Sequence, residues 1–132
     1  MLSGIVADAC VLIDFFRAKE KAATLYVKLT RQYASVYVPT TVLYEVLVGD
    51  TPAGRLFWQK MFNSLPILSF TEADARLAAT MAQKLRHKNL RMEPADLFIA
   101  ATAITRELPL ATLNAQHFNM LKGIANLPLI TG

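Results

Sequence analysis

Residues 3–16 read SGIVADACVLIDFF, and Asp8 is the only charged residue in the ten positions 4–13. The apolar run before it predicts a buried strand, and the stretch after it begins a helix. An acid at such a junction has two physical uses. It can cap the helix by accepting hydrogen bonds from free N–H groups. In a parallel sheet it also stands at the carboxyl edge of the strands, where ligands gather. Position alone leaves both roles open.

Outward from this stretch, short apolar runs alternate with longer segments of helical period, without repeats, low-complexity tracts or Ser/Gly-rich linkers. Residues 11–33 carry helical signal, with a break expected near 18–21 where charges cluster. Residues 35–39 (SVYVP) predict a second strand. Residues 40–50 (TTVLYEVLVGD) predict a short helix capped by its threonines and ended at Gly49. A helix over 51–65 and a third strand at 66–70 follow. Residues 71–89 open with a Thr-x-x-Asp capping box and form the clearest helix. Pro94 sits in the first turn of a helix over 93–108. Residues 108–113 and 127–132 predict two last strands. The alternation implies an α/β fold, a parallel sheet covered on both faces.

A length of 132 residues with 54% hydrophobic content suits a single domain, 1–132, with a sizeable core. Fourteen Lys and Arg against 10 Asp and Glu give a net charge of +4, a weak pointer to an anionic partner. Cys10 is the only cysteine, which rules out an intramolecular disulfide and a Cys-based zinc site and fits a reducing cytosol. Apolar runs reach about half the length of a membrane span, and no basic leader precedes them. The expected location is cytoplasmic, with no membrane association.

Three further positions carry chemistry. Glu45 has only apolar or aromatic neighbours within three positions, from Val42 to Val48, so its helix is expected to be largely buried. A buried carboxylate without a partner costs several kcal/mol or takes up a proton, so Glu45 either needs a cation or lies on a solvated edge shared with Thr41 and Gly49. Asp96 lies in a first helical turn, where the dipole favours it, and Glu93 beside it suits a solvated cap. Asn114 follows a strand, with Thr112 and His117 nearby; Asn is also a common turn residue, and a loop His is more often surface than ligand. Together Asp8, Glu45, Asp96 and Asn114 make an oxygen-rich set suited to Mg²⁺ or Mn²⁺. Such an ion removes repulsion among the acids, activates water and offsets charge on a phosphoryl group.

In order and spacing these stretches resemble the PIN-domain ribonucleases, and within them the VapC-type toxins of toxin-antitoxin modules. GIVADACVLIDFF resembles the opening strand with its acid, TVLYEVLVG the second motif, EPADLFIAATAI the third, and ATLNAQHF the last. The resemblance implies a three-layer α/β/α sandwich around a five-stranded, mainly parallel sheet. It implies metal-dependent hydrolysis of RNA, with Asp8, Glu45 and Asp96 as metal-site acids and Asn114 completing the site. It also implies a homodimer and a small antitoxin protein as partner. Two departures stand out: Ala9 and Cys10 replace the usual Thr-Asn after the first acid, removing polar side chains that support it, and Asn114 stands where many members have Asp.

Residues 84–91 (KLRHKNLR) precede the third acid and could hold an RNA backbone, or form a solvated helix end. Phe57, Trp58, Met61 and Phe62 form a helical stripe suited to core, dimer surface or a groove for an antitoxin peptide. A phosphoacceptor receiver lacks its acidic pair here, since Ala7 and Ala9 flank Asp8, and a haloacid-dehalogenase-like phosphatase lacks Asp-x-Asp, since Cys10 holds the second position. The serious alternative is a PIN-fold module that binds RNA or protein with little hydrolysis.

Overall fold

The structure is a computed structural model describing residues 2–132. Strand β1 (Leu2–Ala7) leads into α1 (Ala9–Arg17), α2 (Leu25–Gln32), β2 (Tyr33–Pro39), α3 (Thr40–Val48) and α4 (Arg55–Ser64). Then come β3 (Ile67–Leu68), α5 (Glu72–His87), α6 (Pro94–Thr105), β4 (Leu110–Ala111) and β5 (Leu129–Ile130). The strands form one sheet in the order β3-β2-β1-β4-β5, and every pairing is parallel. Helices cover the sheet, as the α/β expectation required. Gly4 to Ala7 are buried on both faces, which is why this strand lacks polar alternation. A Cβ on Gly4 would stand 2.7 Å from the Tyr37 ring, so glycine lets β2 pack its aromatic there.

The last three strands are shorter than the sequence suggests. Pro66, Pro109 and Pro128 each precede one; lacking an N–H, they join the ladder only through carbonyls, which accept from Val38, Val6 and Leu110 at 2.9–3.0 Å. The break in the first helical region is real but longer than expected. Lys21 Nζ donates to the carbonyls of Phe15, Phe16 and Ala18 at 2.7–3.2 Å and stops α1, a lysine's role at a helix C-terminus. Thr24 then caps α2, its Oγ1 accepting from the Val27 N–H.

Three expectations need correction. The threonines do not cap α3: Pro39 occupies the cap position without a side-chain bond and Thr40 is already helical, because β2 runs straight into the helix. Nor is α3 largely buried. Only Val42 and Val46 are, while Tyr44, Leu47 and Val48 are 49–67% exposed, so the helix packs along one narrow face. Helix α4 begins four residues late, because 51–54 form a turn closed by the Gly54 N–H on the Thr51 carbonyl.

The Thr71–Asp74 capping box is present, and it carries more than a cap. Asp74 is fully buried and takes hydrogen bonds from Thr105 Oγ1, the Thr71 N–H and Arg106 Nη1. Burial pushes the Asp74 carboxyl up, but Thr105, the Thr71 N–H and Arg106 outweigh it and hold it below the usual range. Arg106 Nη2 also reaches the Ser69 carbonyl at 2.9 Å, so one ion pair ties α5, the end of α6 and the exit of β3 together. The stripe on α4 is core: Trp58 is buried, and Phe57, Met61 and Phe62 pack half-buried around it.

Candidate active site

From β1 the chain builds outward to β2 and β3, then crosses back to lay β4 on the other side of β1. The carboxyl ends of β1 and β4 are therefore the topological switch point, where such sheets leave a crevice. Asp8 leaves β1 there, and its N–H donates to the Ala111 carbonyl at 2.9 Å, pinning it to the neighbouring strand.

Asp8 fills both roles open to it. Oδ1 accepts from the Ala9 N–H at 2.8 Å and caps α1, while Oδ2 accepts from Thr112 Oγ1 at 2.8 Å and lies 3.4 Å from Cys10 Sγ. The side chains beyond the first acid thus do not leave it unsupported, because Cys10 and Thr112 supply polar contacts. Burial, then the Asp8 charge, push the Cys10 thiol up, so it stays protonated and able to donate.

Glu45 projects from α3 and is half-buried. Its Oε1 is closed to solvent and has no hydrogen-bond partner. Burial raises the Glu45 carboxyl, and the charges of Asp8 and Asp96 raise it further. Asp96, at the third position of α6 after Pro94, is likewise raised by burial and by Asp8 and Glu93, against a lowering from His117. Glu93 holds the cap position but makes no side-chain cap bond. The three acids are thus close enough for each pair to interact electrostatically. Asn114 comes to the same edge by its backbone: its N–H donates to Thr112 Oγ1 at 3.0 Å, the hydroxyl that also holds Asp8.

His117 is the residue the sequence undervalued. Its Nδ1 stands 3.7 Å from Asp96 Oδ2, although half its side chain is exposed. The signal was present in its place three residues after Asn114: a 3-10 turn, Ala115–His117, swings it back to the acids while Phe118 buries itself as an anchor. Thr112, fully buried, was named only as a neighbour and proves to be the hub between Asp8 and Asn114.

An orphaned carboxylate oxygen beside two other acids, in an all-oxygen donor set, fits a hard divalent cation. Among the described residues no three His, Cys, Asp or Glu side chains stand as a ready-made cage. An ion here would keep much of its shell as water, as Mg²⁺ does.

The fold and the acid-lined switch point agree with one family. The family model for the PIN domain matches residues 5–122, and the chain belongs to the PIN-domain family. Among curated relatives it is similar to Ribonuclease VapC10 of Mycobacterium tuberculosis, 31% identical over 118 residues that cover 89% of this chain and 88% of the relative. Ribonuclease VapC19 of the same organism is 27% identical over 113 residues, 86% of this chain and 90% of that one. VapBC-5 from Mycobacterium tuberculosis, a member of the VapBC family of toxin-antitoxin systems, superposes with a TM-score of 0.74 at 25% identity, covering 98% of this chain and 99% of that one. The DNA-bound VapBC from Salmonella typhimurium shares the fold with a TM-score of 0.83 at 18% identity over 99% of this chain and 98% of that one.

Proposed function

We propose that this chain is a metal-dependent endoribonuclease and the toxin of a toxin-antitoxin module, acting on RNA in the cytoplasm. The observation that carries the reading is the buried, unpartnered Glu45 Oε1 on a carboxyl that feels the charges of both Asp8 and Asp96. The VapC relatives support it by name, and VapBC-5 supports an antitoxin partner. Residues 2–132 act as one PIN-like domain, since β1 and β5 from opposite ends of the chain share one sheet; residue 1 of the expected 1–132 lies outside the described residues.

Asp8, Glu45 and Asp96 would hold Mg²⁺ or Mn²⁺, with Asn114 as a neutral oxygen donor or as the group orienting water. When bound, the ion supplies charge that lowers the pKa of water and offsets charge building on the phosphoryl group. Asp8 is aimed by the hydrogen bonds it accepts from the Ala9 N–H and Thr112 Oγ1. His117 stands beside Asp96, its Nδ1 3.7 Å from Oδ2. The exposed cations Lys84, Arg86, Lys88 and Arg91 at the end of α5 can grip the RNA backbone. Exposed Tyr44, Leu47, Val48 and Leu56 offer apolar surface to a second copy in a homodimer or to the antitoxin.

RNA cleavage with and without Mg²⁺, for wild type and Asp96→Asn, tests the reading. Wild type should cut only with the ion, and Asp96→Asn should fold and not cut. Cleavage by Asp96→Asn at the wild-type rate would sink the site. RNA binding without cleavage by wild type would favour a binding module instead.

A further inference from the structure

Cys10 sits between two segments far apart in sequence. Its Sγ is 3.4 Å from Asp8 Oδ2, 3.5 Å from Thr112 Oγ1 and 3.3 Å from the Leu113 nitrogen. The proton count constrains what these contacts are. Thr112 gives its one hydroxyl proton to Asp8, so the thiol proton is shared between Asp8 Oδ2 and the Thr112 oxygen. The Leu113 N–H points at the sulfur, which accepts. The thiol therefore donates toward the first acid and accepts from the backbone directly before Asn114. Without that acceptor Leu113, an exposed residue just past the end of β4, has no partner shown for its N–H but solvent.

We propose that Cys10 is a positioning residue, whose thiol locks the segment carrying Asn114 onto the Asp8 carboxylate and so sets the spacing between two members of the site. This rests on Asp8 and Asn114 belonging to that site. It gives the Ala9-Cys10 departure a function: one group that both donates and accepts meets a carboxylate, a hydroxyl and an amide at once.

The experiment follows Cys10→Ala, Cys10→Ser and Asp8→Asn by amide hydrogen exchange and by calorimetric Mn²⁺ titration. Cys10→Ala should speed exchange at Leu113 about tenfold, leave the core amides of Ile5 and Leu110 as in wild type, and weaken Mn²⁺ binding about fivefold, close to 1 kcal/mol. Cys10→Ser, which keeps a donor and an acceptor, should recover most of both. Unchanged Leu113 exchange and Mn²⁺ affinity in Cys10→Ala would overturn the proposal, as would a serine variant no better than alanine, which would mean that only side-chain volume matters. Asp8→Asn should bind Mn²⁺ far more weakly than any Cys10 variant. If it does while Cys10→Ala behaves as wild type, only the role of Cys10 fails. Wild-type Mn²⁺ affinity in Asp8→Asn would instead bring down the site, and this proposal with it.

Discussion

Replacing Glu45 by Gln should make the metal-free protein more stable and the metal-loaded protein less so. Gln keeps the shape of Glu but removes the charge that burial, Asp8 and Asp96 all oppose. A buried polar atom without a partner costs about 1–3 kcal/mol, more when charged, and the amide retains the neutral share of that cost. The net gain without metal is about 1 kcal/mol, or about 4 °C in Tm for a chain this long. With Mn²⁺ at a hundred times the wild-type Kd, wild type gains about 2.7 kcal/mol by mass action. Removing one carboxylate beside a divalent ion should weaken affinity at least about a hundredfold, since a unit charge pair at close range is worth about 4 kcal/mol before desolvation. The variant then gains only about 0.4 kcal/mol, and wild type leads by roughly 1.3 kcal/mol, about 5 °C. Thermal melts in EDTA and in Mn²⁺ would show the order of the two proteins cross. The pH dependence has a definite sign. Because the folded Glu45 carboxyl is raised, the native state holds a proton that the unfolded chain has released, so metal-free stability falls as pH climbs from the ordinary value of about 4.3 through the raised one. The Glu45→Gln curve should be flatter over that window. A variant less stable than wild type in EDTA, or one stabilised equally by Mn²⁺, would refute the reasoning.

Two further outcomes are expected. Asn114→Asp should tighten Mn²⁺ binding about fivefold, a net gain near 1 kcal/mol after desolvation and repulsion from Asp8 and Asp96; unchanged affinity by calorimetry would mean the side chain serves only the turn after β4. Arg106→Met strands the fully buried Asp74, and with Arg106 itself 24% exposed the cost should fall at the lower end for a broken buried pair, about 3 kcal/mol or 12 °C in Tm. Since the folded Asp74 carboxyl is lowered, its stabilisation is present above the unfolded value of about 3.9 and lost as wild type is acidified below it, a loss the variant should show less of in acid melts.

The order of strands and helices was legible from residue 3 to residue 130 because local patterns report it. A strand buried on both faces is apolar throughout, as at Gly4 to Ala7, and a capping box announces α5 at Thr71 and Asp74. Glu45 stood out as a charge among apolar neighbours, whereas Asp8 and Asp96 lie at helix starts, where an acid is also at home as a cap or beside the dipole. Partners across the chain left no such trace. Asp74 looked like a cap, and only the packing of α5 on α6 brings Arg106 to it. Cys10 looked like a lost support for Asp8, until β4 beside β1 set Thr112 and Leu113 against the thiol. His117 reaches Asp96 only because a 3-10 turn bends the chain after β4. Local sequence determines which backbone state each segment prefers and where an unusual charge falls. Which residues satisfy that charge depends on contacts between segments as far as 104 residues apart, and these exist only after the sheet has chosen its strand order.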